Sequence, residues 1–401
     1  MTLRKSLNST PKITKLEKPI LVEKIIPGGM ALATKEDGKK IFLWNALPGE
    51  LVEEYETTKT KANFEEAVAL KIINPAKERV NPEDPCFLST SPWQIIDFNH
   101  ELKLKQDLVV EIFREHKIDL ETPEILTDNN PYHYRNKMEY SLYWDNETEK
   151  ISLAFHARGS HRKIPVEKSS IERPEIFETA KKIVDDLNEK HEEARKYQSL
   201  LLRANQNGEV SGGLYENKKP HPVFKNLTDE ILGKTYSYSP NGFFQINLPV
   251  YELALTEMKK HIDSDNILDL YSGVGTIGLS VAGDKNLTLV EVDKSAYREL
   301  ENNAKNFPNA TPVLDKSENA LTYIEPEQTV ILDPPRAGCD NKLIEKLLEV
   351  KPKKIIYLSC NPATQARDVK KLLETYKIDD VKVFNFFPRT PHIENLVVLS
   401  L

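Results

Sequence analysis

Cysteine is scarce in this chain, whose 401 residues include only Cys86, Cys339 and Cys360. An odd and sparse set argues against a disulfide framework and indicates a reducing compartment. Three thiols also cannot provide the four thiolates that an iron–sulfur cluster needs. The sequence therefore predicts neither a disulfide scaffold nor a metal centre of this kind.

Long apolar runs are missing as well. No stretch approaches the roughly 20 apolar residues that span a bilayer, and residues 1–10 lack the apolar segment of a secretory signal. With 39% hydrophobic and 29% charged residues, the composition is typical of a globular protein. We therefore expect a cytoplasmic protein without a membrane partner, and a monomer.

A positive net charge is also lacking, because the formal net charge is -7. By itself this value argues against a polyanionic partner, although the distribution of charge matters more than its sum. The first 24 residues are locally basic through Arg4, Lys5, Lys12, Lys15, Lys18 and Lys24. Both a solvated tail and an anion-binding arm fit this pattern.

The length exceeds what one hydrophobic core usually organises, so we expect several domains. Residues 20–75 alternate β-rich stretches with turn signals, which predicts a small β-barrel within residues 1–78. Residues 79–235 combine a proline-punctuated linker, a helix over 97–116 and a central α+β pattern. Residues 236–401 form the third predicted domain, against which the helix over 97–116 is placed to pack.

The third domain has the clearest pattern, because short apolar strands alternate with helical stretches. The predicted strands are Ile267–Tyr271, Leu287–Val292, Thr329–Leu332, Lys354–Leu358, Val381–Phe387 and Asn395–Leu401. Such strands predict an α/β fold with a parallel sheet covered on both faces. The last two are too close in sequence for a crossover helix, so we expect them to pair antiparallel.

Polar residues follow these strands at the edge where ligands of open α/β sheets bind. Gly273 and Gly275 come after the first strand, where glycines let the backbone approach a ligand closely. Glu291 ends the second strand, where an acid is placed to accept hydrogen bonds from ribose hydroxyls. Asp333 ends a later strand and is followed by two prolines. Taken singly, each of these acids also fits a helix cap or a surface turn. The glycines are also compatible with a dinucleotide-binding site, which remains an alternative.

Cys360 follows the strand Lys354–Leu358 and stands at the start of a helix. A cysteine after an apolar strand is usually a small hydrophobic core residue. The start of a helix, however, favours a thiolate, and thiolates are nucleophiles. The turn between the last two strands contains Glu394, a candidate general base. His392 is the alternative base. Without a catalytic role, this turn would be an ordinary solvated hairpin tip.

Taken together, these motifs resemble the RNA 5-methyluridine methyltransferases over nearly the full chain. The motifs are Gly242-Phe-Phe-Gln245-Ile-Asn247, Asp269-Leu-Tyr271-Ser-Gly273-Val-Gly275, Asp333-Pro-Pro-Arg336, Ser359-Cys360-Asn361-Pro362 and Pro391-His392-Ile-Glu394. Tyr134-Arg135-Asn136-Lys137 resembles a further signature of the family. The resemblance implies a Rossmann-like class I methyltransferase domain with an antiparallel last strand, a central α+β domain and an amino-terminal OB-like TRAM barrel.

The resemblance also implies roles for individual residues. S-adenosylmethionine would be the cofactor, in contact with Gln245, Tyr271, Gly273, Gly275, Thr276, Glu291 and Asp333. Thr276 stands where relatives often have asparagine, which puts that contact in doubt. Cys360 would add to C6 of a uracil and Glu394 would remove the C5 proton.

RNA is the implied partner, and its target uridine would have to leave its stack at a cost of a few kcal/mol. Phosphate contacts are expected from Arg135, Lys137, His156, Arg158, His161 and Arg162, for which ordinary surface charge is the alternative. The TRAM-like barrel favours 23S ribosomal RNA slightly, with the T-loop of tRNA next. Relatives acting on ribosomal RNA often carry a four-cysteine cluster near residues 80–95, where only Cys86 occurs here, so we expect none.

Two other functions remain open from the sequence. Methyltransferases of exocyclic amines place an aromatic residue after the two prolines, where this chain has Arg336. A non-catalytic RNA-binding or assembly factor could retain the same fold. It is disfavoured because every proposed catalytic position holds a competent residue.

Overall fold

A computed structural model describes residues 12–217, 219–221, 224–317 and 319–401. These residues separate into two compact units. The first takes its residues from Met1–Glu101, Phe155–Lys168 and Arg389–Pro391, and the second from Leu102–Ala154, Ser169–Pro388 and His392–Leu401. Arg4 and Lys5 of the basic amino end lie outside the described residues. The domain boundaries expected after residues 78 and 235 stay predictions.

The first unit contains a five-stranded barrel. Its strands are β1 (Lys12–Ile25), β2 (Ala31–Thr34), β3 (Lys40–Trp44), β4 (Leu51–Thr60) and β5 (Phe64–Ile73), closed in the order β1-β2-β3-β5-β4. Alternate side chains point inward, and Val22, Ile41 and Val52 are buried. The predicted β-barrel is confirmed. Its first strand begins earlier than the sequence indicated, because Lys12–Lys15 pair with Glu54–Thr57 of β4.

The next part of the chain, up to residue 170, adds two helices and four strands. They are α1 (Phe87–Thr90), α2 (Phe98–Glu115), β6 (Glu124–Leu126), β7 (Lys137–Asp145), β8 (Lys150–His156) and β9 (Lys163–Pro165). Before α2, Asp97 Oδ1 accepts hydrogen bonds from the N–H groups of Asn99 and His100, as an N-cap does. This helix corresponds to the one predicted over 97–116.

The second unit includes an antiparallel sheet packed on one helix. Its elements are α3 (Pro174–Glu189), β10 (Tyr197–Ala204), β11 (Val210–Glu216), β12 (Lys219–His221), β13 (Leu227–Ile231) and β14 (Lys234–Tyr238), with a 3-10 turn at Ala194–Lys196. The strands β12, β11, β10, β7 and β8 lie side by side in that order. Helix α3 contacts β10 and β11, while β13 and β14 form a separate hairpin.

The larger sheet of the second unit carries the predicted α/β pattern. Its helices are α4 (Leu248–Lys260), α5 (Thr276–Val281), α6 (Lys294–Ala304), α7 (Asn341–Val350) and α8 (Pro362–Leu372). Its strands are β15 (Asn266–Leu270), β16 (Asn286–Glu291), β17 (Ala310–Leu314), β18 (Gln328–Leu332), β19 (Lys354–Ser359), β20 (Lys377–Phe384) and β21 (Glu394–Ser400). A short 3-10 turn lies at Ala320–Tyr323.

The eight strands follow the order β17-β16-β15-β18-β19-β21-β20-β6. The strands from β15 to β19 pair in parallel, and β21 runs antiparallel to both β19 and β20. The predicted Rossmann-like sheet with an antiparallel last strand is confirmed. Because the neighbouring strands are parallel, the chain segments that follow β15, β16, β18 and β19 meet at one edge.

Two strands of this sheet were not predicted. The edge strand β17 is short and only partly buried, and Pro312 lies within it, so it lacks an apolar run. On the opposite edge, β6 has three residues and pairs in parallel with β20, more than 250 positions later in the chain. Within the described residues, no helix is both long and apolar enough to cross a membrane.

Candidate active site

The turn after β15 forms a backbone cradle at the ligand edge of the sheet. Tyr271, Gly273 and Gly275 all have positive φ, at 66°, 57° and 88°. A Cβ atom on Gly275 would lie 2.6 Å from Leu300 Cδ1, so glycine is required there, whereas the space beside Gly273 is open. A tyrosine in the left-handed region is strained, and such strain is typical of functional turns.

Asp269 lies beneath this turn and is fully buried. Its Oδ2 accepts a hydrogen bond from the backbone N–H of Gly278 at 2.9 Å, and Oδ1 has no hydrogen-bond partner among the described residues. Burial raises the pKa of Asp269 to about 8, against the lowering effect of the Gly278 bond. The carboxyl group therefore keeps its proton at neutral pH.

Glu291 ends β16 and binds the neighbouring turn. Its Oε2 accepts the N–H of Gly273 at 2.8 Å, and its Oε1 accepts those of Val292 at 2.8 Å and Asp293 at 2.6 Å. A carboxylate offers about four lone-pair sites, so three backbone bonds leave capacity for a ligand hydroxyl. Glu291 thus fixes the cradle and remains able to bind a ribose.

Asp333, at the end of β18, is electrostatically coupled to Asp269, Cys360 and Glu394. Burial raises its pKa to about 7. The charge of Asp333 in turn raises the pKa values of Asp269, Cys360 and Glu394. Because such coupling weakens with distance, these acids and the thiol form one site.

Thr276 connects to the same site through Tyr251 of α4. Thr276 acts on the phenol of Tyr251 and opposes the rise of its pKa. Burial raises the pKa of Tyr251 well above its ordinary value, and the charges of Asp333 and Asp269 add to the rise.

Cys360 stands between β19 and α8, where Asn361 caps the helix by accepting the N–H of Ala363. Burial, followed by the charges of Glu394 and Asp333, raises the pKa of its thiol to about 11, and Arg336 opposes the rise. The expectation that the helix start would favour a thiolate is therefore wrong. Burial and two acids outweigh the helix dipole.

Glu394 begins β21 and is almost fully buried. Burial raises the pKa of its carboxyl well above the ordinary value, Asp333 adds to the rise, and Arg336 opposes it. The alternative base, His392, is exposed, and its Nδ1 lies 3.1 Å from an Nη atom of Arg336. Arg336 therefore contacts His392, and its charge acts on both Cys360 and Glu394.

The loop carrying Gln245 is held through its backbone carbonyls. Arg203, fully buried on β10, donates to the carbonyls of Gly242 and Phe244 and stacks on Tyr238 and Phe244. Burial lowers its pKa to about 10.

Lys137 and Asn136 complete the hold on this loop. Lys137 Nζ donates to the carbonyls of Asn241 at 3.1 Å and Gly242 at 3.0 Å. Asn136 Nδ2 donates to the carbonyl of Gln245 at 3.0 Å. Burial, and then the charge of Arg203, lowers the pKa of Lys137 to about 8. The loop is thus fixed through its backbone carbonyls.

The residues predicted to hold RNA divide between the two units. Arg135 and Lys137 belong to the second unit, and His156, Arg158, His161 and Arg162 to the first. Arg158 stacks on Trp44, 4.3 Å from its ring centroid, and its Nε donates to the carbonyl of Leu88. The side chains of His156, His161 and Arg162 are exposed. Arg158 and Lys137 are therefore committed to protein contacts, and the RNA roles of all six stay predictions.

Cys86 is buried and its thiol donates to the carbonyl of Lys168 at 3.6 Å. In the part of the chain that the structure describes, no group of three or more His, Cys, Asp or Glu side chains is arranged to hold a metal ion. The expectation that no iron–sulfur cluster is present stays a prediction.

Sequence reasoning assigned no role to four charged residues that matter here: Asp269, Arg203, Glu101 and Lys105. All four are fully buried. For Glu101 and Lys105 a signal existed, since charges four residues apart within the apolar stripe of a predicted helix are unusual. No local pattern distinguishes Arg203 from an exposed arginine on a strand.

Comparisons with known proteins identify relatives of this chain. Residues 320–401 match the family described as tRNA (Uracil-5-)-methyltransferase. An uncharacterized RNA methyltransferase of Bacillus anthracis is 30% identical, covering 90% of this chain and 92% of the relative. Another from Lactiplantibacillus plantarum is also 30% identical, covering 93% and 94%.

A solved structure shares the fold. The Pyrococcus abyssi tRNA (uracil-54, C5)-methyltransferase in complex with S-adenosyl-L-homocysteine superposes with a TM-score of 0.73 at 22% identity, over 95% of this chain and 100% of that chain.

Proposed function

This chain belongs to the RNA (uracil-C5) methyltransferase family, and we propose that it methylates C5 of one uridine in a structured RNA through a covalent bond from Cys360 to C6. The observation that carries the proposal is the coupling of Cys360, Glu394 and Asp333 at one sheet edge. The reaction needs a nucleophile and a general base. It also needs a bound methyl donor, for which Asp333 is a proposed contact.

The residues at this edge fit S-adenosylmethionine. The unpartnered Oδ1 of Asp269, the open space beside Gly273 and the remaining capacity of Glu291 are polar features that a nucleoside would satisfy. Gln245, Tyr271, Gly275, Thr276 and Asp333 are the other proposed contacts. Bound there, the cofactor supplies an electrophilic methyl group on a positively charged sulfur. Because an opposite charge favours the ionised form, a cationic ligand lowers the pKa values of the nearby acids and thiol.

The chemistry follows from the weakness of uracil C5 as a nucleophile. Cys360 Sγ, after losing its proton to water, would add to C6 and leave C5 enolate-like. C5 would then take the methyl group from the sulfonium sulfur as the methyl–sulfur bond breaks, which leaves S-adenosyl-L-homocysteine. Glu394 then accepts the C5 proton, the C5–C6 double bond re-forms, and the thiolate departs as the C6–S bond breaks. Removal of the C5 proton by a placed base is worth roughly 10² to 10⁴ in rate.

For the RNA, we propose a folded molecule whose target uridine is exposed by leaving its stack. The sequence favoured 23S ribosomal RNA slightly, whereas the similar Pyrococcus abyssi enzyme acts on uracil 54 of tRNA. Exposed His156, His161 and Arg162 are the better candidates for phosphate contacts, because Arg158 and Lys137 already bind protein groups. We further propose that the enzyme has three domains, is a monomer and is cytoplasmic.

The test is methylation by the purified protein of ribosomal RNA and tRNA taken from cells that lack it, followed by mapping of the modified nucleotide. We expect label from S-adenosylmethionine in a single 5-methyluridine, and none with Cys360→Ser. Cys86→Ser is the matched control, because that buried thiol lies outside the site. Label on another atom, or full activity of Cys360→Ser, would overturn the proposal.

A further inference from the structure

The loop between β20 and β21 is held by two fully buried charges, Glu101 and Lys105, one helical turn apart on α2. Lys105 Nζ donates to Asn385 Oδ1 at 2.6 Å and to the carbonyl of Phe387 at 3.0 Å. Side chains at i and i+4 share one face of a helix, so both charges point the same way. Burying charges is costly unless each is bound to specific partners.

Glu101 binds the backbone of Arg389. Both of its carboxylate oxygens accept the Arg389 N–H, at 3.0 and 3.1 Å. Arg389 has a φ of 63°, a left-handed conformation that a residue with a side chain rarely adopts. The carboxylate of Glu101 therefore stabilises a strained backbone at one point of this loop.

Three further contacts fix the same residue. The N–H of Trp93 donates to the carbonyl of Arg389 at 3.0 Å, and Arg389 Nη1 donates to the carbonyl of Ile96 at 2.7 Å. The guanidinium also lies over the ring of Phe98, 5.2 Å from its centroid. Backbone and side chain of Arg389 are thus both held.

Pro391, two residues further on, is packed against Gly29. A Cβ atom at Gly29 would lie 2.1 Å from Pro391 Cβ, so the two residues touch with no room for a side chain. The indole N–H of Trp93 donates to the carbonyl of Gly29 at 3.0 Å. Gly29 and Trp93 therefore fix the position of Pro391, three residues before Glu394 in the chain.

We infer that Glu101 is a positioning residue for the catalytic base: by holding Arg389 in its strained conformation, it sets the direction in which Glu394 meets the C5 proton. The inference rests on the proposed function, because it assumes that Glu394 removes that proton. Misplacing a reacting group by about 1 Å costs roughly 10²-fold in rate. Strain held at one residue of the base-bearing loop is therefore expected to serve catalysis.

The two halves of the reaction allow this role to be separated from a general structural one. Addition of Cys360 to C6 and transfer of the methyl group need no base at C5. Loss of the C5 proton and departure of the thiolate do. With 5-fluorouridine there is no C5 proton to remove, so the methylated adduct forms and stays whether or not Glu394 is well placed.

The experiment compares wild type with Glu101→Gln and Glu101→Ala on RNA labelled with tritium at uridine C5. We expect tritium release by Glu101→Ala to fall roughly 10- to 100-fold, and Glu101→Gln, which retains one acceptor for the Arg389 N–H, to fall less. Trapping by 5-fluorouridine RNA should stay within about threefold of wild type. A denaturation-stable adduct should also accumulate on ordinary RNA. Glu115→Gln, an exposed acid on the same helix, is the matched control.

Arg389→Gly provides a second variant, because glycine tolerates the positive φ without strain and leaves the loop free to change conformation. We expect the same separation, with release slowed and trapping retained. Equal losses in both steps, or wild-type release in Glu101→Gln and Arg389→Gly, would overturn the inference. If wild type itself forms no adduct, the proposed function fails instead.

Discussion

The charge of Glu394 raises the pKa of the Cys360 thiol, after the larger effect of burial. Burial also raises the pKa of the Glu394 carboxyl well above its ordinary value. Burial thus shifts a proposed nucleophile and a proposed base in the same direction, toward their protonated forms. A cationic ligand beside them would shift both pKa values down.

Slow alkylation of Cys360 in the ligand-free protein is the first expectation. With a pKa of about 11, only about one thiol in a thousand is ionised at pH 8, and the rate should rise about tenfold per pH unit between pH 7 and 10. Mass spectrometry of the peptide containing Cys360 after iodoacetamide treatment measures this rate. A plateau near pH 8 would contradict the high pKa.

Arg336→Ala should slow this alkylation further. Arg336 is the group that lowers the pKa of Cys360, through its positive charge, against the larger raising effect of burial. Without it, fewer thiols are ionised at a given pH. Arg298→Ala, at an exposed position of α6, is the control and should react as wild type does. Faster alkylation in Arg336→Ala would be the opposite result.

Asp269→Asn should stabilise the ligand-free protein at high pH. The carboxyl pKa is about 3.9 in an unfolded chain and about 8 when folded, so its stabilising contribution is complete below pH 4 and is lost as pH rises through 8. Asparagine keeps the acceptor for the Gly278 N–H but has no ionisation cost. The free energy of unfolding, measured by urea titration, should therefore increase in the variant relative to wild type by a few kcal/mol between pH 5 and pH 8. This follows because one pKa unit corresponds to about 1.36 kcal/mol. A pH-independent difference would refute the assignment.

Arg203→Met should weaken cofactor binding. The change leaves the buried carbonyl of Phe244 without its donor, at about 1–3 kcal/mol for an unsatisfied group, and removes one of the two donors to the carbonyl of Gly242. Because these carbonyls belong to the loop of Gln245, calorimetry should show a higher Kd for S-adenosylmethionine. Arg298→Met tests for a nonspecific effect. Unchanged affinity in a folded Arg203→Met protein would show that the loop does not need this anchor.

Much of the sheet could be predicted from sequence because its central strands are uninterrupted apolar runs. The residues after them, such as Asp333 and Cys360, could be placed at one edge because parallel strands end together. The antiparallel pairing of the last two strands followed from the short connection between them. Strands without an apolar run, β6 and β17, gave no comparable signal.

The electrostatics of the site could not be predicted in the same way. The pKa of Cys360 depends on how deeply it is buried and on two acids that are distant in sequence, and the helix start alone suggested the wrong direction. The bond between Glu101 and Arg389 joins positions 288 residues apart. Such contacts arise only when the chain is folded, so no local pattern announces them.

The most direct test of the covalent mechanism is trapping with RNA that contains 5-fluorouridine at the mapped target, in the presence of S-adenosylmethionine. We expect wild type to form a complex that survives denaturation, with a mass equal to protein plus methylated RNA and with the bond mapped to Cys360. Cys360→Ala should form none, whereas Cys86→Ser should trap as wild type does. A stable complex with Cys360→Ala, or a bond mapped to another residue, would contradict the account.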